Sequence, residues 1–245
     1  MVNPFRRWFG GSRSGADWSS VSDWAQANGQ RFSRSSDGSG FIVEADRVGA
    51  SWRLEWGTSQ RHYFNGPELR LRAEVGPTGG LQMLVISREL MVRLEQQVFE
   101  ESTDGTETCM DDSLPEEMRW LVLYPKVPRA LLGDLREHFG ALSNLPSAAP
   151  SWLDAPLAKQ LNAVPAWLPA PMPLLMVVQR GRLTLRCNLS APALPALRGA
   201  IDLFGAALAA ARRVGDEVAQ GRIGGGRPSL WGPPSAMPPV DPAPR

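Results

Sequence analysis

The chain has 245 residues, 43% hydrophobic and 21% charged, with 26 Lys and Arg against 25 Asp and Glu for a formal net charge of +1. That is the composition of a soluble globular protein with material for one sizeable core, and its near-neutral balance argues against a dedicated nucleic-acid binder, which carries a pronounced basic excess. Lys126 and Lys159 are the only lysines, so the positive charge is almost all guanidinium, a bias that genomic base composition produces and that also suits planar recognition of anions.

Residues 1–17, rich in Gly, Ser and Arg, read as a flexible arm. Within it Arg6, Arg7, Trp8 and Phe9 have the side chains to rest on an anionic bilayer, rings at the headgroups and guanidinium in the surface potential; the plainer reading is a soluble arm. No apolar run follows the arginines, so a secretory signal is not expected. Residues 18–215 read as a single α+β domain. "SVSDWAQAN" predicts a short helix, with Ser20 and Asp23 at capping-box spacing and Gly29 at its stop. "GFIVEA" predicts a strand, and "WRLEWGTSQRHYFNGPELRLRAEV", 52–75, a ribbon of two strands joined by a two-residue turn at Asn65-Gly66.

A turn there sets the register. His62 then faces Leu69, Gln60 faces Leu71 and Trp56 faces Val75, so that Trp52, Leu54, Trp56, Leu69, Leu71, Ala73 and Val75 share one apolar face suited to the core. On the other face Tyr63 meets Glu68, Arg61 meets Arg70 and Ser59 meets Arg72, all turned to water. Arg61 against Arg70 is a like-charge pair, which destabilises a sheet unless offset. One reading is a solvated lattice with Glu55, Glu68 and Glu74, each ion pair worth about 0–1 kcal/mol. The other is an anion site, in which Arg61, Arg70 and Arg72 offer forked donors to phosphate or carboxylate and Tyr63 stacks on a base or ring.

"LQMLVI" predicts a buried strand, and Ser87 the cap of a helix in which Leu90, Met91, Leu94 and Val98 recur at helical spacing. The acidic run 103–117, with Asp104, Glu107, Cys109, Asp111, Asp112, Glu116 and Glu117, lacks EF-hand spacing and reads as solvated charge rather than a metal loop. "SLPEEMRWLVLY" fits a helix or a strand. "PRALLGDLREHFGALS" and "SWLDAPLAKQLNAV" predict helices, and "PLLMVVQRGRLTLRCNL" a second hairpin turning near Arg180-Gly181. Arg182 and Arg186 point outward on it and enlarge the arginine face if the two hairpins are neighbours. A last helix over about 193–214 carries Leu194, Leu197, Ile201, Phe204 and Leu208 as one stripe, expected on the protein's own sheet rather than in a subunit seam, with a monomer favoured. Residues 216–245 are dense in Pro and Gly and read as a flexible tail.

The expected fold is therefore α+β, a mainly antiparallel sheet of an N-terminal meander and a C-terminal hairpin packed by several helices, with flexible arms at both ends. GxxxxGK[ST], GxGxxG, GxSxG and HExxH spacings are absent. Two cysteines do not make a disulfide framework, prolines interrupt the longest uncharged stretch so that no transmembrane segment is expected, and His62 and His138 read as structural. Neither cofactor nor metal is expected. The leading functional expectation is a non-catalytic cytoplasmic protein-interaction module of unidentified partner; the alternative is an anion-binding module for nucleic acid or anionic lipid headgroups, peripheral at the inner face of a membrane. An enzyme with an unrecognised site stands third.

Overall fold

The computed structural model describes residues 17–46, 51–104 and 114–223. Arg6, Arg7, Trp8 and Phe9, both expected arms apart from a few residues, and most of the acidic run lie outside the described residues. The fold is α+β as expected. Eight antiparallel strands form one sheet: β1 (Arg31–Arg34), β2 (Phe41–Ala45), β3 (Trp52–Gly57), β4 (Glu68–Glu74), β5 (Met83–Ser87), β6 (Phe139–Ser143), β7 (Leu174–Gln179) and β8 (Arg182–Asn188). Their order is β1-β2-β3-β4-β8-β7-β5-β6. The meander and the C-terminal hairpin are thus neighbours, joined through the β4–β8 ladder.

One sheet face carries the main core. Phe41, Val43, Leu54, Leu69, Leu71, Met83, Val85, Met176, Leu183 and Leu185 pack there beneath α1 (Ser19–Ala27), α4 (Ala149–Trp152), α5 (Ala155–Asn162) and α6 (Leu194–Ala219). The apolar stripe of α6 lies on this sheet, with Leu197, Leu203, Phe204, Ala207 and Leu208 buried; among the described residues it is the one helix with the length and hydropathy of a membrane span. It continues to Ala219, five residues past the expected end near 214. Trp152 is fully buried against it and donates its indole N–H to the Ala207 carbonyl at 3.2 Å, which satisfies the polar end of an otherwise apolar ring.

Among the described residues, the opposite face is covered over only part of its width. Leu84 and Ile86 of β5, Leu142 of β6 and Leu175 of β7 form a second cluster with α2 (Arg88–Asp104) and α3 (Glu116–Leu123), through Leu90, Leu94, Val98, Met118, Trp120 and Leu121. Residues 116–123, left open between helix and strand by their pattern, are helical.

Several local expectations are corrected. The first helix has Trp18 at its N-cap position with no side-chain cap, so Ser20 and Asp23 form no capping box; the Asp17 carboxylate takes the Ser19 N–H at 2.9 Å instead. Ser87 directly precedes α2 as expected, but it also ends β5, and its hydroxyl accepts from Leu174 N–H at 3.4 Å across the ladder. The segment "PRALLGDLREHF" forms 3-10 turns over Arg129–Glu137, broken at Gly133 with φ +53°, and then enters β6. All of β6 is buried, and a strand covered on both faces shows no alternation to read. His138, read as structural, is exposed.

Candidate anion site on the charged half of the sheet

The largest correction falls on the ribbon. The strands end at Gly57 and restart at Glu68, so ten residues, 58–67, connect them in place of a tight turn at Asn65-Gly66. Leu54 pairs with Leu71, Glu55 with Arg70 and Trp56 with Leu69, a register six residues from the expected one. Because six is even, every side chain that remains in a strand keeps its face, and the apolar set Leu54, Leu69 and Leu71 is in the core as read.

The reason for the long connection lies in Tyr63 and Phe64. In a strand, consecutive side chains point to opposite faces. Here both rings enter the second cluster, edge to face with centroids 4.8 Å apart, which requires a loop. The same loop closes on carboxylates: Glu68 accepts the Gln60 backbone N–H at 2.9 Å and the Ser59 hydroxyl at 3.3 Å. Glu117, in the first turn of α3, takes both Arg61 and the Tyr63 hydroxyl.

The four residues expected to gather as an anion site therefore divide. Arg61 does not face Arg70; its guanidinium grips Glu117. Tyr63 is buried and hydrogen-bonded, so its ring has no face free for stacking. His62, expected on an apolar face, is exposed in the loop with its ring nitrogen 3.1 Å from the Gln97 side chain. Arg70 is only 8% exposed and lies between Glu55 and Glu68, its Nε without a partner. Arg186, 7% exposed, pairs with Glu68. These buried charges are structural, since each arginine is neutralised where water is excluded.

Arg72 differs. Its row neighbours are Arg53 on β3 and Thr184 on β8, and among the described residues its side chain has neither a carboxylate partner nor a hydrogen bond. Arg182 and Arg186 stand diagonally across the β4–β8 ladder from it. Burial, and then the charges of Arg70, Arg186 and Arg182, push its pKa below the ordinary arginine value, with Glu55 opposing. The cation is partly desolvated among like charges, an arrangement that an incoming anion relieves.

Arg72 lines a cleft of about 450 Å³ with Arg61, Arg180, Arg182, Arg186, Thr184, Glu116 and Glu117. In it Arg61 is held by Glu117, Arg186 by Glu68, Arg182 by Glu74 at 2.9 Å and Arg180 by Glu116 at 3.6 Å. One guanidinium, that of Arg72, is left over. A second cleft of about 530 Å³ lies on its other side, lined by Arg31, Glu44, Arg53, Arg72, Glu74 and Arg182 among others.

Electrostatics of the flanking pairs follow from the same geometry. Burial by itself raises Glu117, but the hydrogen bonds and charge of Arg61, with the Tyr63 hydroxyl, hold it below the usual carboxylate value. Glu55 is likewise lowered, against its burial, by Arg70 and Arg53. Cys187 lies fully buried on the core face, its thiol pushed far up by burial and then by Glu68; it packs as a small apolar residue. Outward arginines were legible from strand alternation. What sequence could not supply was which arginine lacks an acid, because Glu117 reaches Arg61 from α3 and Glu68 reaches Arg186 across the β4–β8 ladder. No protein-family model, curated protein or solved structure matches the chain.

Proposed function

We propose that the protein is a non-catalytic binding module that takes an anionic group, a phosphate or carboxylate, on Arg72 in the cleft between β4, β8 and the start of α3. The observation that carries this reading is that, among the described residues, the guanidinium of Arg72 has no partner while the other four arginines of the cleft all have acids. Guanidinium presents forked donors matched to planar or tetrahedral oxyanions, and the Thr184 hydroxyl beside it offers a further donor. A cleft of this size suits a small ligand or one moiety of a larger one. The protein-interaction reading joins this one, since the anionic group can be carried by a partner chain.

Thermal unfolding with increasing inorganic phosphate tests the proposal. The midpoint of the wild-type protein rises with phosphate, as for any ligand bound only to the native state, and that of Arg72→Gln does not. Equal increases in both proteins overturn the assignment to Arg72.

A further inference from the structure

We infer that the ligand at Arg72 is an extended acidic segment of a partner protein, with carboxylates two residues apart received by Arg72 and Arg182. This rests on the reading of Arg72 as an anion site and names its ligand class.

The first support is spacing. Arg72 is directly opposite Thr184, and Arg182 is two residues further along β8. Such diagonal neighbours stand about 7–8 Å apart. In an extended peptide, side chains on one side recur every second residue, at about 6.6 Å. Two carboxylates at positions i and i+2 therefore reach both guanidiniums at once, whereas adjacent carboxylates point to opposite sides. Arg182 is available for exchange, because its ion pair with Glu74 is exposed on both partners and such pairs contribute little.

The second support is the extent of the surface. The two clefts share Arg72 and Arg182, and among the described residues no helix packs over the polar half of this face. A ligand held at Arg72 thus has recessed surface on either side, more than a single small anion fills.

The third is charge pattern. Across β1–β4 and β8 the outward residues include Arg31, Arg53, Arg70, Arg72, Arg182 and Arg186, interleaved with Glu44, Glu55, Glu68 and Glu74. A uniformly charged polyphosphate meets these glutamates as well as the arginines, and like-charge contacts disfavour it. An extended peptide places discrete carboxylates and neutral residues in alternation. No aromatic side chain points outward from these strands to stack on bases, Tyr63 being buried in the second cluster. The charge lattice and the lack of a stacking platform favour peptide over single-stranded nucleic acid.

The test uses the full chain and fluorescence anisotropy with two labelled hexapeptides of equal charge, Gly-Glu-Gly-Glu-Gly-Gly and Gly-Glu-Glu-Gly-Gly-Gly, both end-blocked, alongside inorganic phosphate and a thymidine hexanucleotide. Unfolding curves of Arg72→Gln and Arg182→Gln establish that both fold. The alternating peptide binds about tenfold tighter than its isomer, Arg72→Gln weakens it about tenfold or more, and Arg182→Gln removes most of the preference between isomers. Equal binding of the two peptides, with phosphate still dependent on Arg72, overturns the acidic-segment inference and leaves the anion reading standing. Tighter binding of the oligonucleotide overturns the peptide class. If neither phosphate nor either peptide binds, both readings fall.

Discussion

The two halves of the sheet's second face share one hydrogen-bonded ladder and differ in what their side chains offer. Over β7, β5 and β6 the outward residues include Leu175, Leu84, Ile86 and Leu142, and α2 and α3 cover them. Over β1–β4 and β8 they are mostly arginines and glutamates, with Ser33, Ile42, Thr184 and Asn188 among them, and no helix among the described residues lies above. Burying apolar surface drives the first half shut at about 25 cal/mol per Å²; the second half gives a helix nothing to gain and keeps its charges near water. At the seam Arg186 stands opposite Leu175, and the loop 58–67 seals the junction by sending Tyr63 and Phe64 into the apolar cluster while its backbone and Arg61 engage Glu68 and Glu117. The seam holds the buried ions, and the open field beyond it holds Arg72.

This contrast can be broken at graded positions. Glu68→Ala removes the acid that Arg186, Arg70 and the Gln60 N–H share; leaving buried guanidinium uncompensated costs about 3–5 kcal/mol, read as a lowered urea midpoint. Leu84→Ala, on the covered half and fully buried, costs about 2–5 kcal/mol through lost transfer energy and cavity formation. Acid weakens the seam too. Glu117 and Glu55 both titrate below the ordinary 4.5 in the native state, so their contribution is complete above about pH 4.5 and is lost as pH falls through their lower native values. The urea midpoint stays level from neutral pH to near 5 and then drops, and Glu117→Gln shows a shallower drop. The smallest effect belongs to Arg72→Gln: with no partner to orphan and like-charge repulsion relieved, stability without ligand stays within about 0.5 kcal/mol of wild type or rises.

The alternation of Trp52, Leu54 and Trp56 against Leu69, Leu71 and Ala73 showed which face is core, and any even register shift preserves that. It could not reveal the turn, because Asn65-Gly66 is a strong local hairpin signal overridden by burial of two adjacent rings, a tertiary effect. Strand β1, four mostly exposed residues with two arginines, carries no amphipathic signal, and β6 carries too much apolar character to be told from a helix segment. For the site, Arg72 was named with Arg61 and Arg70 as one patch. The structure separates them by their acids, and those acids, Glu117 and Glu55, arrive from α3 and from β3 in a register that the sequence pattern placed six residues away.

The sharpest test of Arg72 as the receiving group is to follow the Nε–H resonances of Arg72 and Arg70 by NMR during titration with inorganic phosphate. Phosphate produces a saturable shift at Arg72 while Arg70, enclosed by Glu55 and Glu68, stays in place. An unmoved Arg72, or equal movement of both, contradicts that role.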